Sequence, residues 1–284
     1  MMCRLLACLL LAWHVAAVGV EVVRVPAPEY KGDHRMDYAV QLLQLALSKT
    51  GTEYRLQVVQ VLMNQDRGAL ELEAGRLIDV CALPTSAERE ARLLPIRIPT
   101  TKGALGWRIG LVRKGDQELL AHVNTLQDLQ GVRLAQARDW PDTKILQANG
   151  ISVITAPGSA GLFNMLEARR FDYLPRDPLE IWDEQAKNAD KLVVEPHLAL
   201  HYYQDSYFMV NRKNLSLAQN IRAGLEKAIR DGSFDQLFQQ YFGEQIRKAH
   251  LETRTVIELK NPLLSPEESP SNRPELWYDF RRGR

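Results

Sequence analysis

Cysteine is scarce in this 284-residue chain: Cys3, Cys8 and Cys81 are all it has. The first two stand in an apolar N-terminal stretch, so Cys81 is alone in the remainder and no internal disulfide framework is possible there. It sits in the apolar run Leu77–Leu83, where a cysteine behaves as a small buried hydrophobe. An excess of one charge sign is equally absent. Lysine plus arginine total 36 and aspartate plus glutamate 35, a net charge of +1, which excludes nucleic-acid binding through a strongly basic surface. No G-x-S-x-G, P-loop or G-x-G-x-x-G is present, so the nucleophile elbow, the phosphate-cradling loop and the dinucleotide fingerprint are all missing. No cofactor is expected. His197 and His201 have zinc spacing only on a helix; their run is extended, where residues four apart lie about 13 Å apart, and no metal is expected.

Long apolar runs are limited to one, Leu5 to Val18, broken only by His14. It is short for a membrane span, follows a basic start at Met1–Arg4, and ends in the small residues Ala16, Ala17 and Gly19. This is the pattern of a cleaved secretory signal over residues 1–19. Beyond it, 45% hydrophobic and 25% charged residues are ordinary globular values. The length suits two lobes of about 100–150 residues each.

Strand and helix patterns alternate, as in an α/β fold. Val20–Val25 is a β-branched run; Met36–Thr50 carries a helical stripe at Val40, Leu43, Ala46 and Leu47, closed by Gly51. Tyr54–Leu62 reads as a strand, Gln65–Ala74 as a helix stopped by Gly75, and Leu77–Leu83 as the next strand. A second series follows: strand 132–137, helix 143–148, strand 152–155, a helix from the N-cap Ser159 to Arg170, strand 171–174 and helix 179–188. The pattern then turns helical over Leu217–Arg230 and Phe234–Phe242, the latter stopped by Gly243. From Asn261 the composition shifts to Pro, Ser, Glu and Arg, an extended tail with Trp277 and Tyr278 as anchors.

Four stretches resemble a known family. Leu72-Glu73-Ala74-Gly75-Arg76-Leu77-Ile78-Asp79 is similar to an L-x-x-G-x-x-D unit, and Ser86-Ala87-Glu88-Arg89 before Leu93-Leu94-Pro95 to a T-x-x-R turn. Arg170-Phe171-Asp172 with Asp177 is similar to G-R-x-D-x-x-x-x-D, and Asn211–Asn214, Asp231–Phe234 and Tyr241–Gly243 to a last crossover with its closing helices. In this order and spacing they resemble the periplasmic solute-binding proteins of extracellular family 3, which serve amino-acid importers. The resemblance implies a two-lobed α/β fold with a two-strand hinge: lobe one over 20–112, lobe two over 113–206, a return to lobe one over 207–250 and a tail over 251–284. The strands would cross near Gly110–Lys114 and Tyr207–Arg212.

It also implies a periplasmic, monomeric binding protein rather than an enzyme, holding a small polar solute for a membrane permease or sensor. Arg89 stands at the position of the family's carboxylate-binding arginine, which would grip a carboxylate through two parallel hydrogen bonds. Asp177 stands at the position of its ammonium-binding aspartate, although Asp177-Pro178 is also a helix-start signature. Tyr30 and Trp140 would complete the ligand-binding set. Around Trp140 the family's Gly-Ser/Thr-Thr turn is replaced by residues that include Asp139 and Asp142, which would repel an anionic group. Alternatives on the same fold are a degenerate member used for protein interaction and a dehydratase-like enzyme with Glu180 or Glu195 as acid.

Overall fold

The computed structural model describes residues 20–27, 34–61, 63–138, 140–264 and 273–281. The expected signal at 1–19 lies outside them, as do Tyr30 and Asp139. Among the described residues no helix is long and apolar enough to cross a membrane.

The first lobe begins with β1 (Glu21–Pro26), α1 (His34–Ser48) and β2 (Tyr54–Val59), where β1 and β2 pair in parallel. α1 buries Tyr38, Leu42, Leu43, Ala46 and Leu47, a stripe of helical period that packs onto the core. Next come α2 (Gln65–Ala74), β3 (Val80–Pro84), the short α3 (Ala87–Arg92) and β4 (Leu93–Ile96). Asn64 caps α2 by accepting from the Arg67 amide at 3.0 Å, one of the amides a helix start leaves unpaired.

The second lobe holds β5 (Trp107–Arg113), α4 (Leu126–Leu129), β6 (Leu134–Ala137), α5 (Pro141–Ala148), β7 (Val153–Ala156) and α6 (Ala160–Glu167). It continues with β8 (Leu174–Arg176), α7 (Ile181–Lys187), β9 (Leu192–Val194) and β10 (Leu198–His201). β5 is the central strand, fully buried, and pairs antiparallel with β8, β9 and β10. β6 and β7 form a parallel pair.

β11 (Ser206–Asn211) then returns to the first lobe, antiparallel between β3 and β4. α8 (Leu215–Arg230) and α9 (Ser233–Ala249) cover that lobe against α1. α8 crosses α1 at Gly224, where a Cβ would stand 1.9 Å from the Ala46 carbonyl oxygen, so no larger residue allows this approach. Gly243, expected to stop α9, lies inside it. The helix runs on because Ile246 and Ala249 are buried, and tertiary packing outweighs the roughly 1 kcal/mol a helical glycine costs.

Two further expectations are corrected. β5 pairs entirely within the second lobe, so the strand pairing changes over at residues 97–106 and 202–205, earlier than at Gly110–Lys114 and Tyr207–Arg212. The crossing segments bond to each other there: the Thr100 amide donates to the Ser206 carbonyl at 2.9 Å and the Tyr202 amide to the Gly106 carbonyl at 3.0 Å. The segment from 251 is also not simply an extended tail. β12 (Thr255–Glu258) joins β10 in parallel, because the β-branched Thr255, Val256 and Ile257 extend the second lobe's sheet. Residues 273–281 then lie across the back of the crossing. Arg273 pairs with Glu226 on α8 at 2.5 Å, Trp277 packs on Tyr203, the Tyr278 amide donates to the Lys102 carbonyl, and Phe280 approaches Trp107 of β5.

Candidate functional site

A small cavity of about 60 Å³ lies between the lobes. The first lobe contributes Arg35 at the start of α1 and Gln65 at the start of α2; the crossing contributes Leu105 and Gln204. From the second lobe come strand-end and helix-start residues: Arg108 on β5, Gln136 on β6, Trp140 and Asp142 at the start of α5, Arg176 and Asp177 at the end of β8, and Glu180 and Glu184 at α7. Clustering where strands end and helices begin is the usual placing of a ligand site in an open α/β sheet.

The charges in this cavity are paired with one another. Arg108 binds Asp142 at 2.5 Å and spends another nitrogen on the carbonyls of Leu105 and Trp107, at 2.7 and 2.9 Å. Tyr202 donates its hydroxyl to the same Asp142. Burial alone would push the Asp142 carboxyl up, but the Arg108 guanidinium outweighs it and holds the pKa below the ordinary value. Arg176 makes a bidentate pair with Glu184, at 2.7 and 2.6 Å, reaches Glu180 at 2.5 Å, and lies 4.4 Å over the Trp140 ring.

Arg35 alone of the three spans the lobes. It bonds Asp177 at 3.0 Å and Glu180 at 2.7 Å, with a third of its side chain exposed. The other oxygen of Asp177 accepts the amides of Leu179 and Glu180, at 2.9 and 3.2 Å. Asp177 therefore is the cap of the following turn and a wall of the cavity at once. Burial raises the Glu180 carboxyl, against the pull of Arg176 and Arg35. Gln136 donates its Nε2 to the Pro175 carbonyl at 3.0 Å, while its Oε1, on a residue 1% exposed, has no hydrogen-bond partner.

Asp177 and Trp140 thus come together. Arg89 does not join them. It lines a neighbouring cavity of about 540 Å³, shared with Trp140, Arg138 and Lys144, and its guanidinium bonds the Pro84 carbonyl at 2.7 Å, Gln65 at 3.3 Å and Asp66 at 3.2 Å. All three partners belong to its own lobe. Among the described residues no group of three or more His, Cys, Asp or Glu side chains could hold a metal ion.

Sequence reasoning missed Arg35, Arg108, Gln136, Asp142's pairing and Arg176. Gln136 and Arg108 had a usable signal, a polar residue inside a strand that the fold buries completely (Leu-Ala-Gln-Ala and Trp-Arg-Ile-Gly-Leu-Val-Arg), although β5 carries a second buried arginine, Arg113, away from the cavity. Arg35 had none, since its partners are 142 and more residues away.

No family model matches the chain, and no curated protein matches it by sequence. Solved structures do. A probable amino-acid ABC transporter extracellular-binding protein from Bacillus subtilis superposes with a TM-score of 0.60 at 19% identity, over 80% of this chain and 99% of that one. A Salmonella typhimurium periplasmic binding protein of high arginine specificity gives 0.59 at 15% identity, over 78% and 100%. An ancestral arginine-binding protein bound to arginine gives 0.56 at 18% identity, over 78% and 98%. The chain therefore has the two-lobed α/β fold of periplasmic amino-acid-binding proteins, at low identity to them.

Proposed function

We propose that the protein captures a small polar, amino-acid-like solute in the interlobe cavity and presents it to a membrane permease or sensor. The observation that carries this reading is a buried, charged cavity walled by side chains of both lobes, with Arg35 of one bonded to Asp177 and Glu180 of the other. A two-lobed fold opens and closes around such a site by hinge motion, and a larger cavity of about 540 Å³, lined by residues of both lobes, adjoins it. The solute-binding reading is supported by the fold, since the similar structures are binding proteins. We read the chain as a binder rather than a catalyst, exported through residues 1–19 to the periplasm and acting as a monomer. Asp177 and Trp140 are its proposed ligand contacts; Arg89 serves the adjoining cavity.

A second reading, protein interaction without a solute, is favoured by the mutual pairing of the cavity's charges. A thermal-shift screen of the purified protein against amino acids, small carboxylates, amines and guanidines separates the two. A ligand at 100 times its Kd adds about 2.7 kcal/mol, several degrees in Tm. A hit that Asp177→Asn weakens supports solute binding. No hit across the panel overturns it in favour of the second reading.

A further inference from the structure

The cavity's charge pattern narrows the solute, given that the cavity is a solute site. An amino acid brings a carboxylate that needs a cation once water is excluded. Every guanidinium lining this cavity is already engaged: Arg108 by Asp142 and two carbonyls, Arg176 by Glu184 and Glu180, Arg35 by Asp177 and Glu180. Arg89, the arginine at the family's carboxylate position, is turned to its own lobe. The acceptors tell the opposite story. Four carboxylates, Asp142, Asp177, Glu180 and Glu184, face three guanidiniums, and Gln136 adds a buried oxygen without a donor.

Arg35 is also the replaceable member. Arg108 and Arg176 are nearly fully buried and have their carboxylate partners in the second lobe, whereas Arg35 is one-third exposed and belongs to the first. When the lobes part, Arg35 leaves with α1. Asp177 keeps its backbone bonds and Glu180 keeps Arg176, so two carboxylates and the Gln136 oxygen stay behind facing the opening. We propose that the cleft takes an organic cation without a carboxylate, an amine or a guanidine, seated against Asp177, Glu180 and Gln136 Oε1 in the place that the Arg35 guanidinium occupies. Arg35 is then a built-in competitor that fills the cleft in the ligand's absence. Planar geometry and charge-assisted bonding favour a guanidine over a simple ammonium at such a pair of carboxylates.

Agmatine and arginine test this directly, since they differ only by the carboxylate. Calorimetric titrations of the whole protein at neutral pH should show agmatine binding about tenfold or more tightly than arginine, because a buried carboxylate without a partner is costly. Arg35→Ala should tighten agmatine severalfold by removing the competitor, and Gln136→Leu should weaken it. Arginine, or any other amino acid, binding as tightly as agmatine overturns the carboxylate-free ligand while leaving the solute-binding function intact. If neither amines, guanidines nor amino acids bind, both fall together. The wild-type comparison needs no variant to fold.

Discussion

Two of the contacts between the lobes are made of different material. At the front, across the cavity, the contact is ionic: Arg35 to Asp177 and Glu180. At the back, behind the crossing strands, it is backbone and apolar. Residues 273–281 bury Leu276 and Phe280 to 3% and 5% exposure and tie α8, the crossing and β5 together. An ion pair gives up little on opening, since water solvates both partners. Apolar surface has no such substitute and is lost to water at about 25 cal/mol per Å². The ionic contact is therefore the easier of the two to part when a two-lobed fold opens at its hinge. The C-terminal segment adds to the crossing strands a further attachment on the side where opening would not be useful.

Truncating the back contact should have the largest effect. Phe280→Ala removes a buried ring packed near Trp107 and Tyr278 and should cost about 3–5 kcal/mol in urea unfolding. A loss below 1 kcal/mol would mean the segment is not part of the fold's stability and would break the contrast. Gly106→Ala comes next. A Cβ there would meet the Tyr202 carbonyl oxygen at 2.3 Å, and this neighbour is backbone of the other crossing segment. The segments must separate, at about 3 kcal/mol, with a matching fall in Tm by calorimetry.

The sequence made much of this architecture readable. Apolar stripes of helical period, stopped by Gly51 and Gly75, and the β-branched runs between them foretold the alternating elements, and the order of four short motifs foretold the two lobes. Asp177 and Trp140 were singled out by their place in the family's motifs, and both line the interlobe cavity; the Asp177-Pro178 pair signalled separately the turn that Asp177 caps. What was not readable depends on distant partners. Arg89 is turned aside by Gln65 and Asp66, 24 and 23 residues earlier, and no local pattern says which of several nearby charges an arginine will choose. β12 is four residues long, too short for a period to stand out, and exists because β10 offers it an edge.

The crossing itself holds a titratable group. Asp205 is buried, and its donors, the Thr101 amide and hydroxyl and the amides of Gly103 and Ser206, are all uncharged. Burial pushes its pKa up from 3.8 to about 6. A carboxyl that holds its proton more tightly when folded stabilises the fold below the unfolded value, and that stability is lost as pH rises through about 6. Between those limits the loss should reach about 2–3 kcal/mol. Unfolding midpoints of wild type minus Asp205→Asn, measured across this range, should fall with rising pH; a flat difference would remove Asp205 from the back contact's energetics.

Arg35→Ala should have the smallest effect on stability and the sharpest meaning for the comparison. Arg35 is partly exposed, Glu180 retains Arg176, and Asp177 retains the amides of Leu179 and Glu180. Both carboxylates are 7% exposed or less, so the loss should be about 1–2 kcal/mol. Its shape effect should be larger than its energy. With the front contact gone and the back intact, small-angle scattering should find a larger radius of gyration than wild type at the same Tm within a few degrees. If Arg35→Ala instead destabilises the protein as much as Phe280→Ala, front and back are one cooperative interface, and the ionic contact is structural rather than a releasable latch.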